Sequence, residues 1–129
     1  NCMKEAAARG YSRRVQLGCL LHDASEAYLA DVTRPVKKEL PRYLEIEEPL
    51  QEMLWNIWLD APLTEIERAQ VFQIDDVILL HEFLQLMDAK IAEEIPEIFS
   101  EPEFSFTGFE QCTQEFLQLF RVLTAKQGA

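Results

Sequence analysis

The chain has 129 residues, 48% of them hydrophobic and 27% charged, with a formal net charge of -11. That length suits one domain with its own core, and no run approaches the roughly 20 apolar residues of a membrane span, which excludes a membrane partner of that kind. The acidic balance argues against a nucleic-acid duplex, because duplex binding rests on Lys and Arg neutralising phosphates.

In chain order, a short helix is expected through Met3 to Arg9, stopped by Gly10, a natural left-handed terminator. A second starts near Ser12 as N-cap and carries Val15, Leu17, Leu20 and Leu21 towards His22 and Asp23. If this helix continues, Glu26 lies four residues beyond His22 on the same face. Asp31-Val32-Thr33-Arg34-Pro35 breaks the pattern, since Pro35 fits only the first turn of a new helix.

Helical spacing resumes in Ile46, Leu50, Met53, Leu54, Ile57 and Trp58 and yields at Asp60-Ala61-Pro62. Thr64 and Glu67 form a T-x-x-E capping box opening a long helix to about Lys90. That helix is apolar around most of its circumference from Val71 to Met87, which predicts a central, buried position. After a loop with Pro96 and Pro102, Thr107 and Glu110 read as a second capping box. The last helix then presents Phe116, Leu117, Phe120 and Leu123 on one face, which suggests association into a homodimer. The fold class is all-α, since apolar residues recur at helical rather than alternating spacing almost throughout.

Cys2, Cys19 and Cys112 are odd in number and widely spaced. They fit neither a disulfide framework nor a CxxC motif, so a reducing cytoplasm is the simplest localisation. Charge is uneven. Up to Arg42 there are eight Lys or Arg against five Asp or Glu, +3, while the remainder carries -14. A basic segment on an acidic chain either steers a small anion into a cleft or is a solvated surface.

The most informative stretch is Leu20-Leu21-His22-Asp23-Ala24-Ser25-Glu26, followed by Asp31. Ionisable groups directly after an apolar run cost several kcal/mol to bury unless compensated. A divalent cation compensates, and imidazole with carboxylate suits Mn, Fe, Co, Ni or Zn. Asp75 and Asp76 interrupt the most apolar helix, so at least one is expected to face a cation, a metal or an Arg; the alternative is a helix edge open to water. His81 is six residues from Asp75, a poor spacing for shared ligation, and reads as structural. Glu82 reads as a group behind the ligands or an acceptor for a basic side chain, and Cys19 as a small apolar filler.

These residues resemble the HD-domain metal-dependent phosphohydrolases, and in particular their bacterial 5'-deoxynucleotidase branch. The likeness lies in His22-Asp23-Ala24-Ser25-Glu26, Asp31 and Arg34-Pro35-Val36-Lys37, which match an HDxxE…D…P-x-K string, and in Ile74-Asp75-Asp76 through Glu82, which is similar to the later D-x6-E helix. It spans roughly Ser12 to Met87. The resemblance implies residues 1–129 as a single HD-domain helical bundle, and one divalent ion (Mn, Co, Mg, Fe, Ni or Zn) held by His22, Asp23 and Asp75, with Asp76 as the fallback. It implies Glu26 as the catalytic group, Asp31 at the substrate sugar, and Arg34 and Lys37 at the phosphate. The implied substrate is a small-molecule nucleotide, a (deoxy)nucleoside 5'-monophosphate. The first His of the pattern has no counterpart between Met3 and Arg9 and is expected upstream of Asn1, in an N-terminal part of the domain preceding this sequence. The alternative is a non-catalytic HD-scaffold module for binding or dimerisation.

Overall fold

The computed structural model describes residues 1–125, which form seven α-helices and no strand. In order they are α1 Cys2–Ala8, α2 Arg13–Leu20, α3 Glu26–Leu29, α4 Arg34–Lys37, α5 Pro41–Trp58, α6 Glu65–Met87 and α7 Phe109–Thr124. The chain is all-α, as the spacing predicts. No helix among the described residues is long and apolar enough to cross a membrane.

Local chemistry sets most of the boundaries. Gly10 takes a φ of +71° just beyond α1, a conformation that costs a Cβ-bearing residue more. The Ser12 hydroxyl accepts from the Val15 amide at 3.3 Å to open α2. Thr64 and Glu67 exchange their bonds reciprocally at the start of α6. That helix ends at Met87, short of Lys90, where Asp88 turns left-handed with a φ of +47°. The second capping box does not form: Gly108 is the N-cap of α7 and no side chain bonds to the exposed amides there.

The middle of the bundle is α2, not α6. α1, α6 and α7 all pack on α2, and α1 also touches α6. Val15, Leu17, Val71 and Ile74 fill the space between them together with Ala6, each large aliphatic contributing about 1.5–3 kcal/mol by burial. Gly18 permits the close approach, since a Cβ there would lie 3.0 Å from Val71 Cγ2. The expectation that α6 is buried all round is corrected: only Val71, Ile74, Val77 and Ile78 are buried, while Ile66, Phe72, Leu86 and Met87 are exposed. The buried residues form one stripe facing α1 and α2, so the opposite face, including Phe72 beside Val71, stays open, and length leaves the ends uncovered as well. At 1.5 Å per residue α6 runs about 35 Å, whereas the eight residues of α2 cover about 12 Å.

A similar correction applies to α5. Its core face is Gln51, Trp55 and Leu59, with the Trp55 indole donating to the Gly18 carbonyl at 3.1 Å. Ile46, Met53 and Ile57 point outward instead. On α7, Leu123 is buried and Phe120 meets the Trp58 ring edge-on at 4.9 Å, whereas Phe116 and Leu117 are exposed. Arg13 caps the far end of α7 by donating to the carbonyls of Leu123 and Ala125 at 2.6 and 2.5 Å.

Sequence periodicity does not foretell the role of Glu5. This fully buried carboxylate on α1 accepts from the Phe99 and Ser100 amides, from the Ser100 hydroxyl at 2.7 Å and from Arg9 at 2.6 Å. It thereby fastens the long loop after α6 to α1. Burial alone would raise its pKa, but the Ser100 hydroxyl, Arg9 and the two amides outweigh burial and hold it below the ordinary value.

Candidate metal centre

α2 stops at Leu20, and the chain turns through residues 21 to 25 before α3 begins. In a continuing helix the Ser25 amide would donate to the Leu21 carbonyl. Here the buried Gln51 amide from α5 stands between them, accepting from Ser25 N at 3.1 Å and donating to Leu21 O at 2.8 Å. A side chain inserted into the ladder is a recognised cause of a helix break. Glu26 therefore does not continue the face of His22, contrary to the continuous-helix expectation.

The same turn fixes His22. Its Nδ1 lies 2.7 Å from the Cys19 carbonyl, which can only accept, so Nδ1 carries a proton and donates it. In a neutral ring this leaves the Nε2 lone pair facing into the site. Nε2 is 3.1 Å from Asp23 Oδ2 and 3.3 Å from Asp75 Oδ1. A lone pair facing two carboxylates is repulsive unless a proton or a cation lies among them. Without a cation the proton wins: burial opposes a charged imidazole, but Asp23 and Asp75 overcome it and hold His22 well above its ordinary pKa.

Asp75 reaches the site from the middle of α6, one turn below Ile78, with Ile74 buried beside it. Burial would raise its pKa, yet His22 and Arg34 together hold the carboxyl below its usual range. Asp76 turns away and pairs with Arg34 at 2.6 Å, so of the two neighbours only Asp75 meets His22. Cys2, at the start of α1, brings its Sγ to 4.0 Å from His22 Nε2. Cys2, His22, Asp23, Asp75 and Glu82 share the lining of a cleft of about 430 Å³.

The donor set fits a divalent first-row ion. The open nitrogen of His22 has its other nitrogen anchored by a carbonyl, the arrangement that orients metal-bound histidines, and an Asp75 oxygen stands at ligand-to-ligand distance from it; Asp23 also approaches this nitrogen, but it is exposed and is not part of the mutually close group, which is Cys2, His22 and Asp75.

The other expected residues are arranged less simply. The Glu26 carboxyl is raised by burial first, then by the like charges of Asp23 and Asp31, with Lys37 partly offsetting them. Asp31 is exposed on the stretch between α3 and α4. Arg34 is tied to both Asp75 and Asp76. Lys37 is held by Glu47 at 2.7 Å and lies 3.9 Å from Glu26. His81 bonds to the Pro96 carbonyl at 2.9 Å, a structural role in keeping with its spacing.

The basic first third is mostly consumed by structure. Arg9 serves Glu5, Arg13 caps α7, and Arg14 joins Glu67 to the Leu59 and Pro62 carbonyls. Cys19 packs as a small apolar group, and burial pushes its thiol up to about 12. Two residues of the site were not singled out from sequence. The spacing of Cys2 speaks only to redox class, and Gln51 carries no motif at all; its one signal is a polar amide at helical spacing from Trp55. No family model, curated protein or solved structure matches the chain.

Proposed function

We propose that the chain is an HD-type metal-dependent phosphohydrolase that releases phosphate from nucleotides, with (deoxy)nucleoside 5'-monophosphates as the substrate class. One observation carries the reading: His22 Nε2 and Asp75 Oδ1, 53 positions apart in sequence, meet at 3.3 Å with the imidazole tautomer set for ligation. His22, Asp23 and Asp75 hold the ion. When bound, it polarises the phosphoryl group and lowers the pKa of water towards neutrality.

The remaining work falls to the chain's own groups. Glu26, with its pKa raised by burial and by Asp23 and Asp31, is suited to exchange a proton with the attacking water or the leaving sugar oxygen. Asp31 accepts from the sugar hydroxyls. Lys37 and Arg34 serve the phosphate by exchanging their present carboxylate partners for it, Lys37 giving up Glu47 and Arg34 giving up Asp76.

A second reading, a non-catalytic binding or dimerisation module, draws support from the outward apolar stripe of Ile46, Met53 and Ile57 and from the pairing of most basic groups. An assay separates the two. The full-length protein is incubated with Mn, Co or Mg and a nucleotide panel beside Glu26→Ala. Metal-dependent phosphate release, lowered about 10²- to 10⁴-fold in the variant, supports the enzyme. Equal rates remove Glu26 from the mechanism, and silence with every metal and nucleotide favours the module.

A further inference from the structure

Three ligand atoms from three separate parts of the chain converge in the cleft. Cys2 Sγ comes from α1, His22 Nε2 from the turn after α2, and a carboxylate oxygen of Asp75 from α6, all within 4.8 Å of one another. A tetrahedral ion with bonds of about 2.3 Å to sulfur and about 2.0–2.1 Å to nitrogen or oxygen spaces sulfur from nitrogen by about 3.6 Å and nitrogen from oxygen by about 3.3 Å. The corresponding separations are 4.0 Å for Cys2 Sγ to His22 Nε2 and 3.3 Å for His22 Nε2 to Asp75 Oδ1. The sulfur has to close on the nitrogen by about 0.4 Å, and it starts within 4.8 Å of the Asp75 oxygen.

The other two thiols do not share this position. Cys19 serves the site through its carbonyl, while its side chain is packed in the core. Cys112 is exposed on α7 and donates its thiol to the Thr107 carbonyl at 3.8 Å. Cys2 is half-buried and faces His22.

We infer that Cys2 is a thiolate ligand of the ion held by His22 and Asp75, which makes the centre one for a thiophilic first-row ion of the zinc or cobalt class rather than for magnesium or manganese. The inference deepens the proposed function and rests on its assignment of His22 and Asp75 as ligands. On binding, the Cys2 S–H bond breaks and its proton passes to solvent as the sulfur–metal bond forms; no electrons are exchanged. Soft sulfur adds little to the binding of hard oxygen-seeking ions, so the selectivity follows from the ligand type.

The test is titration of the chain with cobalt(II), followed by absorbance. The expected result is a near-ultraviolet sulfur-to-cobalt charge-transfer band that saturates at one ion per chain, is lost in Cys2→Ala and persists in Cys112→Ser. Zinc affinity measured by competition falls at least about tenfold to a hundredfold in Cys2→Ala, the range even for changes behind the ligands. Cys2→His serves as the folding control: it binds cobalt without the charge-transfer band. If the unaltered chain binds cobalt with no such band and Cys2→Ala binds equally well, the thiolate is overturned while His22 and Asp75 stand as ligands. Magnesium binding as tight as zinc binding overturns the selectivity. Failure of the chain to bind cobalt or zinc overturns both this inference and the metal-dependent reading beneath it.

Discussion

Two charged clusters, one buried and one part-exposed, flank the first helix, and they are satisfied in opposite ways. Around Glu5 every donor comes from protein: two backbone amides, a hydroxyl and a guanidinium converge on one carboxylate. Around His22 the acceptors converge instead, with Asp23 and Asp75 both facing one ring nitrogen that offers at most one proton. The first arrangement is complete without any ligand and belongs to stability. The second is balanced only by a proton on His22 and by Arg34, both of which the ion of the proposed function would displace or join.

The largest contrast comes from removing each acid. Glu5→Ala leaves Arg9 and two loop amides without their acceptor, so the denaturation midpoint drops by the equivalent of about 3–5 kcal/mol, as when one partner of a buried pair is lost. Asp75→Asn acts on the other side. Zinc or cobalt at about 100 times its dissociation constant stabilises the unaltered chain by about 2.7 kcal/mol, and thermal melts of Asp75→Asn show little or none of that gain. If Asp75→Asn keeps the full gain, or if Glu5→Ala is neutral, the division of roles between the two clusters fails.

A smaller effect separates them by pH. The Glu5 carboxyl is held below its ordinary value of 4.5 in the folded chain. A depressed folded pKa contributes stability that is fully present above the unfolded value and is lost as pH falls through the folded one. Stability measured downward from about pH 5 therefore declines in part through Glu5, and Glu5→Gln flattens that part of the profile. An unchanged slope in Glu5→Gln would move the acid sensitivity elsewhere.

How much of this was legible beforehand differs between residues for physical reasons. Helix starts at Ser12 and Thr64 were readable because capping is a local bond between neighbours. That Asp75 or Asp76 needs a partner is legible because carboxylates interrupt an apolar helix; that the partner is His22 is what the resemblance implies. Glu5 and Gln51 were not, since a lone polar residue on a helix gives no sign of which distant backbone it will satisfy. Hydrophobic periodicity misjudged α5 and α6 for a related reason. It identifies an apolar face but not what covers it, and the stripe at Ile46, Met53 and Ile57 has no cover among the described residues. The nucleotide preference rests on the resemblance and on the assay that tests it.

The Gln51 wedge means that the bend carrying the imidazole is not written in its own stretch of chain. The two backbone groups that would close the next helical turn, Leu21 O and Ser25 N, are both bonded to a side chain some thirty positions downstream. Under the proposed function, ion capture is coupled to the seating of α5 through this one amide, so loosening the outer helix would loosen the grip on the ion as well.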